Sequence, residues 1–201
     1  MSLSTPIDEF FARYPRFAWD PKEPVSEQFH QLRQEEYRWR RNQHPIETEE
    51  ERKARETELW TEYQDALGQQ FAALFGSDEN DLEGWQKILR LLQVDPVPAT
   101  LDDCRKVMDD KHVNILDLLD AHRTGSKVEI YRTEAALSAY TRTHRKIFNR
   151  HGEHVPPLLQ ALLRHILGPP LRDYAKRSAG DTDKKPRKGK GKRKGKKKAG
   201  Q

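Results

Sequence analysis

Two histidines and a glutamate stand together in the stretch HGEHVP, where His151 and His154 flank Gly152 and Glu153. Imidazole and carboxylate groups bind Zn²⁺ in proteins, and His144 lies a short distance upstream. The zinc-protease signature needs two histidines at i and i+4 on a helix with a glutamate beside the first, and this spacing differs from it. We therefore interpret the stretch as a polar loop ahead of a proline-capped helix. His151 and His154 remain the alternative metal ligands.

A second stretch, YRWRRNQH at residues 37–44, combines three arginines with two aromatic rings. Arginines contact phosphate oxygens and aromatic rings stack on bases, so these are the ingredients of a nucleic-acid surface. The favoured interpretation differs: Trp39 faces the core, and the arginines pair with the nearby acids of ETEEE, residues 47–51. The three arginines are Arg38, Arg40 and Arg41.

The C-terminal stretch DTDKKPRKGKGKRKGKKKAGQ, residues 181–201, holds most of the excess positive charge. Its eleven basic and two acidic residues give it +9, which leaves −4 for residues 1–180 because the whole chain carries +5. The body is therefore mildly acidic, and electrostatic attraction to polyanions must be local. The basic residues are Lys184, Lys185, Arg187, Lys188, Lys190, Lys192, Arg193, Lys194, Lys196, Lys197 and Lys198.

This basic tail is expected to be disordered, because glycine, proline and lysine cannot bury enough apolar surface to offset the entropy of ordering. Its KKPRK cluster matches the short basic signals read by nuclear import receptors. Lysines spaced by glycines can follow a phosphate backbone without reading bases. We therefore predict a nuclear protein whose tail has an import receptor and DNA or RNA as partners, and whose helical body is an interaction module for another protein. The alternative is a cytoplasmic protein whose tail is inert.

The remaining motifs indicate no reaction. No phosphate-binding glycine loop, nucleophile elbow or kinase signature occurs, so we predict a non-enzymatic protein with no cofactor. Cys104 lies on an apolar helix face and is expected in the core, and a single cysteine suits a reducing compartment. No apolar run is long enough for a membrane span, and no secretory signal is recognised. The alternative is an enzyme of unrecognised type with the histidine-based metal site.

Apolar residues recur with a helical period along most of the chain, and they predict about seven helices. Capping residues set several of the boundaries. Ser26 is the predicted N-cap of the first long helix, Thr48 with Glu51 forms a capping box, Asn114 caps a short helix and Gly125 stops it. The predicted helical segments are residues 25–42, 48–75, 77–94, 99–110, 114–124, 133–148 and 156–167.

Helices without paired strands predict an all-α fold, and 201 residues suffice for one domain with tails. The predicted organisation is an N-terminal strap at 1–24, a compact helical domain at 25–170 and the tail at 171–201. VEIYRT, residues 128–133, is expected to be an extended linker. The strap holds five aromatic rings, which we expect to pack on the helical body; the alternative is a docking strap for a partner protein. These rings are Phe10, Phe11, Tyr14, Phe17 and Trp19.

Three stretches carry a resemblance to known sequences: FFARYPRFAWDP, FAALFGSDENDLEGWQKILRLLQVDPVPATLDDCRKVM and KHVNILDLLDAHRTG. Together they resemble a family of uncharacterised small helical proteins from filamentous fungi, over roughly Ile7 to Leu167. The resemblance implies one helical domain and a fungal origin. It implies no activity, ligand or catalytic residue, and the basic tail lies outside it.

Overall fold

Eight α-helices make up the part of the chain that the computed structural model describes, residues 4–43, 47–150, 152 and 155–163. These residues contain no strand, and one isolated antiparallel bridge joins His112 to Tyr131. The predicted all-α class is confirmed. The helices are α1 Pro6–Ala12, α2 Val25–Gln43, α3 Glu49–Phe75, α4 Leu82–Leu91, α5 Leu101–Asp109, α6 Ile115–Thr124, α7 Glu134–Thr143 and α8 Pro157–Leu162.

The long helix α3 is the centre of the core. It begins at the predicted capping box, in which the Thr48 and Glu51 side chains each accept from the other's backbone N–H. Its first turns are charged and largely exposed, whereas Leu67 and Phe71 farther along are fully buried. That second part packs against α1, α4, α6 and α8. Burying a Leu or Phe side chain contributes about 1.5–3 kcal/mol, so this stripe holds the domain together.

The helices α4 and α5 form a hairpin that closes one side of the core. Trp85, Ile88 and Leu89 of α4 are buried, and α5 buries Cys104 completely. Burial raises the pKa of the Cys104 thiol, and Sγ lies 3.6 Å from the Pro98 carbonyl oxygen. The prediction of Cys104 as a core residue is confirmed by this burial. The raised pKa in addition keeps the thiol protonated and unreactive.

The aromatic rings of the N-terminal segment belong to the same core. Phe10, Phe11 and Phe17 are buried, and α1 packs directly on α3. The Trp19 ring stacks on Phe11 with centroids 4.0 Å apart, while its indole N–H donates to Asp8 over 2.9 Å. The packed interpretation of the strap is confirmed, so these rings are already occupied by intramolecular contacts.

The helix predicted to start at residue 77 begins at Leu82, after the N-cap Asp81. Two further predicted boundaries are wrong. Ser26 is not the N-cap of α2: the helix begins at Val25, and the Val25 backbone N–H donates to Asp120 of α6 over 3.1 Å. The segment predicted as helix at 133–148 ends at Thr143. After Thr143 the chain turns toward α6, where the Lys146 ammonium donates to the Asp117 carboxylate. Both corrections come from contacts far apart in sequence.

Gly84 lies where α4 crosses the end of α3, and it provides a stability test. A Cβ at this position would lie 2.5 Å from the Phe75 carbonyl oxygen and 2.9 Å from Leu158 Cδ2. Alanine normally stabilises a helix interior relative to glycine by about 1 kcal/mol. Here the overlap reverses the sign, and we expect Gly84→Ala to lower the free energy of unfolding by about 2 kcal/mol in urea titrations. Lys87→Ala on the exposed face of α4 is the control; a Gly84→Ala protein as stable as wild type would contradict the packing.

Candidate functional site

A groove of about 530 Å³ opens between α2 and α3, on the side where both helices extend beyond the core. Five arginines, four glutamates, one histidine and two tyrosines line it, together with Gln34 and Leu59. Tyr14 from the segment after α1 and Arg145 from the loop after α7 also line it. Its volume lies within the range of about 300–1,000 Å³ that is typical of small-molecule sites.

Ion pairs within and beside α3 offset the positive charge on one wall of the groove. Arg52 pairs with Glu49 at 2.6 Å and with Glu56 at 3.1 Å, and Arg55 pairs with Glu47. Such partly exposed pairs contribute little to stability. Their effect on the site is that each arginine of this wall already has an acidic partner.

Two further glutamates of the groove, Glu36 and Glu62, are also engaged. Glu36 of α2 pairs with Arg16 at 2.8 Å and with Arg40 at 3.8 Å. Glu62 accepts a hydrogen bond from the Tyr14 hydroxyl over 3.1 Å, and burial with this acidic neighbour raises the pKa of Tyr14 to about 12. A tyrosine with a raised pKa holds its proton, so this pair serves to fix the groove wall.

The opposite end of the groove has a different electrostatic character. His30 and Arg33 come from α2, and Arg145 reaches them from the loop after α7 with a left-handed backbone φ of 54°. Arg33 and Arg145 form no ion pair with any residue that the structure describes. Burial lowers the pKa of His30, and the charges of Arg33 and Arg145 lower it further, against a backbone hydrogen bond to Arg145 and the charge of Glu27.

The outer face of α2 presents the aromatic and basic residues of the 37–44 stretch that the structure describes. Tyr37 is 43% exposed, and Arg38 and Arg41 are exposed beside it. Neither arginine pairs with an acidic residue in the described part of the chain. The spacing of 37, 38 and 41 places the three side chains on one helix face.

The prediction that Trp39 faces the core is wrong. Its ring is partly buried beneath the Arg16 guanidinium, whose central carbon lies 3.7 Å from the ring centroid. The predicted pairing with residues 47–51 is also wrong, since Arg40 pairs with Glu36 one turn earlier on its own helix. The reason is that α2 has no buried residue after Leu32. Its last turns therefore contact solvent and the loop that follows α1, which contains Arg16.

A further polar cluster joins Lys146, Asp117 and Tyr140, and it has a structural role. Burial would lower the pKa of Lys146, but hydrogen bonds to Asp117 and Tyr140 outweigh it and raise that pKa. The pKa of Tyr140 is also raised, and there burial is the main cause. Both groups therefore keep their protons near neutral pH, which is unsuitable for a general base.

The predicted metal and tail residues lie outside the described part of the chain. His151 and His154 are not described, nor are residues 164–201, which include all eleven basic residues of the tail. Exposed His144 has Nδ1 3.0 Å from the Tyr140 carbonyl oxygen. Within the described ranges no three His, Cys, Asp or Glu residues are grouped to hold a metal ion. No described helix is long and apolar enough to cross a membrane.

Sequence reasoning did not identify the His30 end of the groove. His30 and Arg33 are one turn apart on α2, which is a weak local signal. Arg145 gives no signal at all, because only the fold brings its loop to α2. Comparison with protein-family models, curated proteins and solved structures finds no match for this chain. The resemblance to fungal helical proteins therefore stays a prediction.

Proposed function

We propose that this chain is a non-enzymatic interaction protein that contacts nucleic acid without sequence preference and works in the nucleus. The observation that carries the proposal is the division of charge, with +9 in residues 181–201 and −4 in residues 1–180. Cations concentrated in one short segment bind polyanions through counterion release, which requires no defined geometry. An acidic body limits the contact to that segment and to local basic surfaces.

The outer face of α2 supports the proposal as a second contact. Arg38 and Arg41 lie about 4.5 Å apart along the helix axis, from a rise of about 1.5 Å per residue, so both can meet one backbone segment. Tyr37 is exposed beside them and can stack on an unpaired base. This face is small, so we expect it to increase the affinity for nucleic acid only several-fold. The tail is expected to increase that affinity by orders of magnitude.

Nuclear entry follows in this proposal from the KKPRK cluster, which an import receptor would bind. The helical body is then free to bind a protein partner. The buried strap rings are not available for that contact, because Phe10, Phe11 and Phe17 are packed in the core.

The test compares the full chain with a chain ending at Gly180 and with a full-length chain whose eleven tail cations are changed to Gln. We expect both altered proteins to lose nuclear accumulation and to bind single-stranded RNA or duplex DNA at least about a hundredfold more weakly at low salt. The Gln version controls for chain length. Unchanged location together with unchanged binding in both proteins would overturn the proposal.

A further inference from the structure

We propose that residues 164–174, which follow the last described residue, pack on the inner face of α7 and form a second small core with it. The inference concerns the helical body and does not rest on the function proposed above. The large apolar residues of this segment are Ile166, Leu167, Leu171 and Tyr174.

The first argument is that α7 is buried without belonging to the main core. Leu137 and Ala135 keep only 1% and 4% of their surfaces exposed, and Ser138 keeps none. Neither Leu137 nor Ala135 belongs to the hydrophobic cluster that α1 to α6 share with α8. Among the described helices, no pair with extensive packing includes α7. A buried apolar residue needs several neighbours in contact, so this face has a cover that the described helices do not supply.

The second argument is the place where the described chain ends. Leu163 has an extended backbone with ψ of 127°, so α8 does not continue into the residues that follow. Leu163 and Gln160 line a cleft together with Arg150 and Gly152, which belong to the segment after α7. The chain therefore leaves α8 beside that segment. Eleven further residues can span up to about 35 Å, more than twice the length of about 15 Å that a helix of this size has, so they can reach the whole of α7.

The third argument is the composition of the chain after Leu163. Residues 175–201 have no apolar side chain larger than alanine except Pro186, so they are unsuited to cover an apolar face. Residues 164–174 have three aliphatic side chains and one aromatic ring, whose burial favours packing. Pro169 and Pro170 restrict the unfolded chain, which lowers the entropy that is lost when the segment becomes ordered.

Other covers are less suited to this face. His151, Glu153 and His154 lie nearer to α7 in sequence, but their side chains are polar or charged. A second copy of the chain would have to bind at its free concentration, whereas a tethered segment acts at an effective concentration on the order of millimolar. The favoured cover is therefore the segment of the same chain.

The first test is hydrogen exchange of the full-length protein, measured by mass spectrometry on peptides from α7. Ile166→Asp combined with Leu171→Asp places charges in the proposed apolar contact, and we expect the α7 amides to exchange at least about tenfold faster. Ala175→Asp combined with Ala179→Asp adds the same charge outside the segment and is expected to change this exchange by less than about twofold. Peptides from the second half of α3 are the internal reference, because that helix belongs to the main core and should keep its protection.

The second test locates the segment directly in the full-length chain. Leu171→p-benzoylphenylalanine introduces a photoreactive ring at an apolar position, and mixing isotope-labelled with unlabelled protein separates links within one chain from links between two chains. We expect links to residues 134–143 of the same chain. Ala199→p-benzoylphenylalanine, in the basic tail, is the control and is expected to show no preference for α7.

The proposal is overturned if both pairs of Asp substitutions change the α7 exchange alike, or if neither pair changes it. Faster exchange that is equal in α3 and α7 would contradict a core separate from the main one. The proposal also fails if the ring at position 171 links mainly to another part of the chain, or if its links to α7 join two chains, which would identify a second copy as the cover. Nucleic acid takes part in neither measurement, so these outcomes are independent of the role proposed for the tail.

Discussion

Raising the salt concentration from about 50 to 200 mM is expected to weaken binding of duplex DNA to the full chain by about 10³- to 10⁵-fold. The tail carries eleven cations, and six to ten phosphate contacts correspond to a slope of about −5 to −9 for log K against log salt. Fluorescence anisotropy with a labelled duplex at four salt concentrations measures this slope.

The matched control is the full-length chain with its tail cations changed to Gln. Its slope is expected to be no steeper than about −2, because Arg38 and Arg41 are then the main exposed cations of the proposed surface. DNA of unrelated sequence should give the same slopes, since backbone contacts carry no sequence information. An equal slope in the full chain and the Gln version would contradict a role for the tail.

Helix positions were predictable where the determining contacts are local. Thr48 with Glu51, and Asn114 with the N–H groups that follow it, form caps within three residues. Gly125 ends α6 in a left-handed conformation that glycine adopts without strain. Such signals are complete within a few residues, so the sequence read by itself contains them.

The start of α2 and the end of α7 depend on distant residues instead. The Val25 N–H is satisfied by Asp120, which lies on α6, and Lys146 turns away from α7 toward Asp117. A sequence window around Ser26 or His144 contains neither partner. Local propensity therefore predicted a plausible cap and a longer helix, and tertiary contacts determined the observed boundaries.

The candidate site shows the same division between local and distant information. The stretch at 37–44 was recognisable by composition, but the Arg16 cover on Trp39 comes from a loop that precedes α2. The His30 end needs Arg145, which only the loop after α7 supplies. The tail and His151 with His154 lie outside the described residues, so those predictions rest on the sequence alone.

Replacing Asp120 with Ala is expected to lower the free energy of unfolding by about 3 kcal/mol, the largest stability effect that we predict. Its Oδ1 accepts from the Val25 N–H at 3.1 Å and from Arg123 Nη2 at 2.7 Å. The same Arg123 nitrogen donates to the Glu23 carbonyl over 2.6 Å. Alanine would leave the Val25 N–H without its acceptor, and it would leave the charge of Arg123 without its acidic partner, with only the Glu23 carbonyl as an acceptor for that nitrogen.

Asp120→Asn is the matched substitution, because its amide oxygen can still accept from Val25 while the charge is lost. We expect a loss of about 1 kcal/mol for Asn, well below that for Ala. Removing one partner of a buried pair leaves the other charge uncompensated, whereas a neutral residue of the same shape avoids the desolvation of a carboxylate. Urea titrations of the wild type, Asp120→Asn and Asp120→Ala measure the order of their stabilities. An Ala protein as stable as the Asn protein would contradict the role of Asp120 as a hydrogen-bond acceptor.

The pH dependence of the free energy of unfolding tests whether the charged or the neutral form of Asp120 is favoured in the folded state. Burial raises the pKa of Asp120 above 3.8, in opposition to the Val25 hydrogen bond and the charges of Arg123 and Lys146, while Asp117 raises it further. The Asp120 carboxyl therefore holds its proton more tightly in the folded state than in the unfolded state. Its contribution to stability falls as the pH rises from the unfolded-state pKa through the folded-state pKa. The free energy of unfolding of the wild type minus that of Asp120→Asn should accordingly decrease as the pH rises above 3.8. A difference that increases over this range would mean that Arg123 and Val25 stabilise the carboxylate by more than burial destabilises it.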